Sequence, residues 1–227
     1  MVLGPRKTSA RHRRKRCGPW PVQVRFTFGL TSEEYVKQKA WRSASLLCCP
    51  FHPKGGCGLA RHGSYPRVSP PGCQIARWYC HTAHTTISLL PECLCSRLTS
   101  TLCEVEAVVA AFEAAPSQEA ASEAIRLDIE LPGALRWMRR RVRLVHAGLA
   151  AAIGLLPVLF AGCKPTVASF RSVIGAESAL LYLRGTAASH LAALPPPLGF
   201  GPRPLRRRPK PTAIQQGTGP DPPPGTR

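Results

Sequence analysis

The chain reads as an α+β protein, with a small β module first and a helical domain after it. Three observations predict this. Eight of the ten cysteines lie between residues 48 and 103, in a segment of short strand-like runs broken by Pro and Gly. Residues 101–156 then carry apolar positions at helical spacing. Both ends of the chain are basic or Pro-rich, with no hydrophobic period. The expected organisation is a basic disordered arm (1–21), a strand and short helix as lead-in (22–47), the Cys/His module (48–100), a helical domain (101–194) and a Pro-rich disordered tail (195–227).

Each element has a local reason. Val22–Phe28 alternates like a strand, and Ser32 followed by Glu33 and Glu34 starts a helix running to about Ala40. Pro70-Pro71-Gly72 is a turn between two strand-like runs, Gly63–Val68 and Gln74–Tyr79, and Thr85–Leu90 supplies a third strand. Thr101-Leu102-Cys103-Glu104 is a capping box. The helix it opens carries Leu102, Val105, Val109 and Phe112 on one stripe and ends before Pro116. Ser117 caps a short second helix over Gln118–Arg126, with Ala120, Ala121 and Ala124 expected to face inward. After a turn, Pro132 suits the first turn of a third helix, whose Leu135, Met138, Val142, Val145 and Leu149 form one apolar face.

The composition limits the function classes. Among 227 residues, 31 Lys+Arg against 12 Asp+Glu give a formal +19, which points to polyanionic partners. Seven of the cations lie in residues 6–16. Five are Arg136, Arg139, Arg140, Arg141 and Arg143, and five more lie in residues 203–210. The only aspartates are Asp128 and Asp221, so chemistry needing three clustered acidic metal ligands has little to draw on. Residues 17–30 hold charge and prolines where a secretory leader needs a continuous apolar run. The expected location is therefore the cytoplasm, in association with the nucleoid.

The spacing Cys49-x2-His52-x4-Cys57, then 22 residues, then Cys80-x3-His84 resembles two ligand knuckles separated by a hairpin. That is the plan of a zinc ribbon. Four ligands are needed and Cys49, His52, Cys57, Cys80 and His84 are the candidates. The preferred set is Cys49, Cys57, Cys80 and His84, with His52 the substitute for Cys57. Cys48, Cys73 and His81 lie nearby. His62 reads as a surface or turn residue, and Cys93, Cys95, Cys103 and Cys163 as small buried or incidental thiols. The competing readings are a disulfide-rich module or scattered reduced thiols.

Helix, short Ala-rich helix, turn and Arg-loaded helix over residues 101–148 is the order of a helix-turn-helix unit. In that geometry Arg136, Arg139 and Arg140 would meet the major groove or its phosphates, and Arg143 the backbone. Trp137 reads as packing. The competing reading is a helical bundle whose Arg face meets water. The uncharged run 144–163 has the length and basic flank of a membrane span. Its His146, Gly148, Gly154, Pro157 and Gly162, and an apolar stripe that begins earlier at Leu135, favour a buried helix stopping at Pro157.

Cys49-Pro50, Arg61-His62-Gly63-Ser64-Tyr65, Ile75-Ala76-Arg77-Trp78-Tyr79-Cys80 and Ser88-Leu89-Leu90-Pro91 together resemble the zinc-ribbon part of bacterial transposase-like proteins. Glu119-Ala120-Ala121 and Leu135-Arg136-Trp137-Met138-Arg139-Arg140 resemble their helix-turn-helix. The likeness covers about residues 22–160. It implies a non-enzymatic protein that holds Zn2+ and binds double-stranded DNA, the recognition portion of a transposase, with a separate catalytic subunit as a further partner. Cys80-His81-Thr82-Ala83-His84 departs from the usual second CxxC knuckle, and no acidic catalytic core is present. The alternatives from other classes are a membrane-associated protein anchored by 144–163, a zinc hydrolase or nuclease, and a poorly folding degenerate frame.

Overall fold

The structure is a computed structural model that describes residues 23–29, 31–125 and 130–201. The basic arm expected at 1–21 lies outside the described residues, as does the chain from 202 onward. The element order is β1 (Gln23–Phe26), α1 (Ser32–Lys37), β2 (Ala60–Pro66), β3 (Gln74–Cys80), β4 (Thr85–Pro91), α2 (Leu102–Ala114), α3 (Gln118–Ile125), α4 (Leu131–Leu155), α5 (Pro157–Phe160), α6 (Val167–Ile174) and α7 (Ala179–Thr186). The architecture is mixed α and β.

The strands form one four-stranded sheet in the order β1-β4-β3-β2. β2, β3 and β4 are an antiparallel meander, as the turn residues predict, and the loop carrying Pro70-Pro71-Gly72 closes with the Cys73 amide on the Pro70 carbonyl. β1 adds to the far side in parallel, Val24 opposite Leu89 and Phe26 opposite Pro91. Its Arg25 pairs with Glu92 at 2.7 Å. The expected lead-in strand is thus part of the module's own sheet.

Thr101 with Glu104 forms the expected capping box, and the Ser117 hydroxyl accepts from the Ala120 amide at 3.1 Å. α1 begins at Ser32 as expected, but its capping box is made by Thr31 with Glu34, and it ends at Lys37 rather than near Ala40. α2 buries Leu102, Val105 and Val109, and α4 buries Met138, Val142, Val145 and Leu149. On α3 the inward residues are Ala121 and Ser122, while Ala124 faces solvent. Ser122 is tolerated there because its hydroxyl donates to the Gln118 carbonyl at 2.8 Å. α4 stops one residue before Leu156-Pro157, and the run 144–163 is divided between its C-terminal half, α5 and a turn. Among the described residues, no helix is long and apolar enough to cross a membrane.

One core joins sheet and helices. Ile75 and Leu90 of the sheet, Leu94 and Leu98 of the following loop, and Leu102, Met138, Phe170 and Leu183 of the helices belong to the same buried cluster. Two glutamates seven residues apart on α2 tie the last helices to it. Buried Glu106 accepts from Ser178 Oγ, from the Ala179 and Leu180 amides at the start of α7, and from Arg171 Nε at 2.7 Å. Glu113 accepts from the Val167 and Ala168 amides at the start of α6 and meets His146 Nε2 at 2.7 Å. A carboxylate at each helix N-terminus meets the orphan amides and the positive end of the dipole.

The tail expected to be disordered from residue 195 is instead folded through Gly201. Leu198 and Phe200 are buried, and the Phe200 and Gly201 amides donate to the Leu191 and Leu194 carbonyls. A Cβ at Gly199 would overlap the Leu194 carbonyl, so only glycine allows the chain to pass there. The anchor is Arg184, fully buried on α7. Its guanidinium donates to the carbonyls of Leu198 (2.9 Å), Pro197 (2.5 Å), Glu92 (3.3 Å) and Leu94. Proline content suggested an unpacked chain, but a buried guanidinium, which only donates, takes its acceptors from this segment's Pro197 and Leu198 carbonyls.

Candidate metal centre and arginine face

The Cys/His site assembles from two places. Cys49 and His52 form a tight turn before β2, closed by the His52 amide on the Cys49 carbonyl at 3.1 Å. Cys57 follows on a loop in which Gly55, Gly56 and Gly58 all take left-handed backbone angles that side chains resist. Cys80 ends β3. The ligand atoms of Cys49, His52, Cys57 and Cys80 all lie within 4.8 Å of one another. His52 Nδ1 stands 3.7 Å from Cys49 Sγ and 3.4 Å from Cys80 Sγ. A tetrahedral ion with bonds of about 2.0–2.3 Å separates its donors by roughly 3.5–3.8 Å, so this Cys3His cluster has metal-binding dimensions compatible with zinc.

The preferred set differs from the observed one at one residue. His84 is outside the cluster, and His52 joins Cys57 rather than replacing it. The reason is the β3–β4 turn. His84 sits at its last position with φ 47 and points its Nδ1 at Tyr79 Oη, 3.3 Å away, on the exposed surface. Three candidate ligands therefore come from residues 49–57 and one from the strand end, instead of two from each knuckle. Cys48 and His81 are exposed, and Cys73 is buried in the main core.

The surroundings support the cluster. The Ala83 amide donates to Cys80 Sγ at 3.3 Å, and the Thr82 amide and hydroxyl both donate to the Cys57 carbonyl. Ile87 closes a small apolar pocket around the thiols, with Trp78, Phe51 and Leu46 packed against it. Burial raises the Cys49 thiol, but hydrogen bonds from the His52 ring, the Phe51 amide and Cys80 outweigh it and bring the thiol down to about 7. Burial and the neighbouring Cys49 and Cys80 push Cys57 up to about 11. The Cys49 and Cys57 thiols are thus shifted in opposite directions, a conflict that a bound dication would remove.

The arginines of α4 separate into two kinds. Arg136, Arg139, Arg140 and Arg143 are exposed, on the side away from the Met138–Leu149 stripe. α4 carries no acidic residue, and among the described residues none of these four makes an ion pair. Arg139 Nε donates to Gln118 Oε1 of α3 at 2.7 Å. Arg141 is different. It is 7% exposed and lies 3.5 Å over the Trp137 ring, so this cation and the tryptophan are part of the packing.

Sequence reasoning gave no structural role to Arg61, Arg67 and Arg184, which donate to backbone carbonyls. Arg67 reaches those of Ser69, Cys95, Leu98 and Ser100. Nothing local marks these residues, because their partners are up to 92 positions away in sequence. No protein-family model matches the chain, and no curated protein and no solved structure matches it.

Proposed function

We propose that this protein binds double-stranded DNA through the outer face of α4, as a non-enzymatic recognition module stiffened by a zinc ion on Cys49, His52, Cys57 and Cys80. The observation that carries the reading is the set of four exposed, acid-free arginines within about two turns of one helix, Arg136 to Arg143. They follow a short helix to which Arg139 is tied, the order in which a helix-turn-helix presents its recognition helix. Arg136, Arg139 and Arg140 would face the groove, and Arg143 the phosphate backbone. The resemblance to transposase recognition parts extends this to a role beside a separate catalytic subunit, since only two aspartates occur in the chain. Zinc here would hold β2 and β3 in place and supply no reaction.

The test is duplex binding by fluorescence anisotropy across a salt series. The parent protein is expected to lose affinity steeply with salt. Replacing Arg136, Arg139, Arg140 and Arg143 by Ala should flatten the log–log slope by up to about 0.9 per lost phosphate contact. An unchanged slope and affinity in the fourfold variant would reject α4 as the interface.

A further inference from the structure

We propose that a second cationic cleft, between α1 and the β2–β3 hairpin, is a binding site for the phosphate of a nucleotide unit. The cleft has a volume of about 620 Å³ and is lined by Lys39, Arg42, Arg61, Ser64 and Gln74, with Trp41 and Val36 as its apolar wall. No carboxylate lines it. Its size lies in the range of small-molecule sites, about 300–1,000 Å³.

The polar groups of the cleft are arranged as donors. Arg61 is fixed by its own hydrogen bonds to the Trp41 carbonyl at 2.6 Å and the Ala44 carbonyl at 3.2 Å. Those bonds position the guanidinium without neutralising its charge. Ser64 Oγ donates to Gln74 Oε1, so the acceptor end of that amide is occupied and its NH2 is left to donate. Lys39 holds a left-handed backbone (φ 51, ψ 42) at the start of the short helical turn Ala40–Arg42, which brings Lys39 and Arg42 to the same cleft. A non-glycine residue in that region costs energy and marks a place to look for function. Among the described residues, neither Lys39 nor Arg42 forms an ion pair. Three cations and an amide donor with no acid select a compact, multiply charged anion, and an apolar wall beside them suits the base or sugar attached to it.

The choice of a nucleotide over other phosphorylated ligands rests on the DNA reading, while the residues are separate from α4. The experiment uses the full chain loaded with zinc, titrated with inorganic phosphate, a deoxynucleoside monophosphate and a duplex oligonucleotide. Amide and indole NMR shifts are followed at Trp41, Gly63 and Gly72. The variant is Lys39→Asn with Arg42→Gln, both at exposed positions, Asn being tolerant of the left-handed backbone. The expected result is mononucleotide shifts confined to the cleft and lost in the variant. Duplex affinity should fall on the order of tenfold, with a salt slope lower by about 1.8. No cleft shifts, with duplex binding unchanged in the variant, would overturn the proposal and leave the α4 interface standing. Cleft shifts with duplex binding indifferent to the α4 arginines would uphold the cleft and remove the α4 interface. Equal response to inorganic phosphate, without an effect on duplex binding, would overturn the nucleotide assignment.

Discussion

His52 and His84 show how one residue's backbone decides its chemistry. Both lie a few positions from a cysteine, Cys49-x2-His52 and Cys80-x3-His84. The first follows a turn that returns its ring to the thiols, and the second occupies a left-handed position that turns it toward Tyr79. His52→Ala should therefore weaken metal binding by more than about 100-fold, beyond the range of outer-shell changes, with partial rescue by His52→Cys. His84→Ala should leave metal stoichiometry and affinity unchanged. Competition with a chromogenic chelator measures both, and equal losses would put His84 back among the ligands. Metal uptake should also release protons at neutral pH. The Cys57 thiol, pushed up to about 11, is protonated in the free protein at pH 7 and must ionise to coordinate. Affinity should fall as pH falls, because protons compete for the thiolates. Calorimetry in buffers of different ionisation enthalpy would show the release; a buffer-independent heat would contradict it.

At the scale of the element, α4 presents two faces, one apolar and buried and one of exposed arginines. The 3–4 apolar spacing and the neighbouring arginines were legible in the sequence because a helix maps spacing onto direction. What spacing could not show is that Arg141 folds over Trp137, where a cation stacked on an indole contributes to packing. Arg141→Ala should lower stability by about 1–2 kcal/mol in urea denaturation, with little change in the salt slope of DNA binding. Arg140→Ala should do the reverse. If the two variants behaved alike in both measurements, the division of the helix would be wrong. The sheet gives the same lesson. Strand-forming runs and the Pro-Pro-Gly turn predicted the β2–β3–β4 meander, but the parallel docking of β1 on β4 depends on a pairing 65 residues apart, Gln23 opposite Ser88.

For the whole molecule, the Cys3His cluster has a small buried group of its own, while the C-terminal segment closes onto the main core. Around the thiols the buried apolar group is small, Ile87 with the cysteines themselves, too little to hold the 48–59 loop alone. Chelation should expose Cys49, Cys57 and Cys80 to alkylation. Cys48 and Cys103 should react with or without metal. Cys93 and Cys95, with thiols pushed by burial up to about 11 and about 12, should stay unreactive while the fold persists. Mass spectrometry of the labelled peptides decides this, and reaction of the three ligand thiols at equal rates before and after chelation would argue against a bound metal. In the C-terminal segment, stopping the chain after Leu194 should cost about 3–6 kcal/mol through loss of Leu198 and Phe200 and should orphan Arg184. Equal melting temperatures for chains stopped after Leu194 and after Gly201 would show that the segment between them does not contribute.

The sequence by itself determined the local features: a helix start at Ser32, the cap at Thr101, the α4 stripe, the strand runs, and a Cys/His set from which four ligands could be drawn. Each depends on neighbours within a few residues. Only the tertiary structure decided the ligand that completes the cluster and the folding of Pro195–Gly201 into the core. It alone separated arginines that face solvent from those that clamp carbonyls. These choices depend on contacts between segments far apart in the chain, where spacing carries no direction.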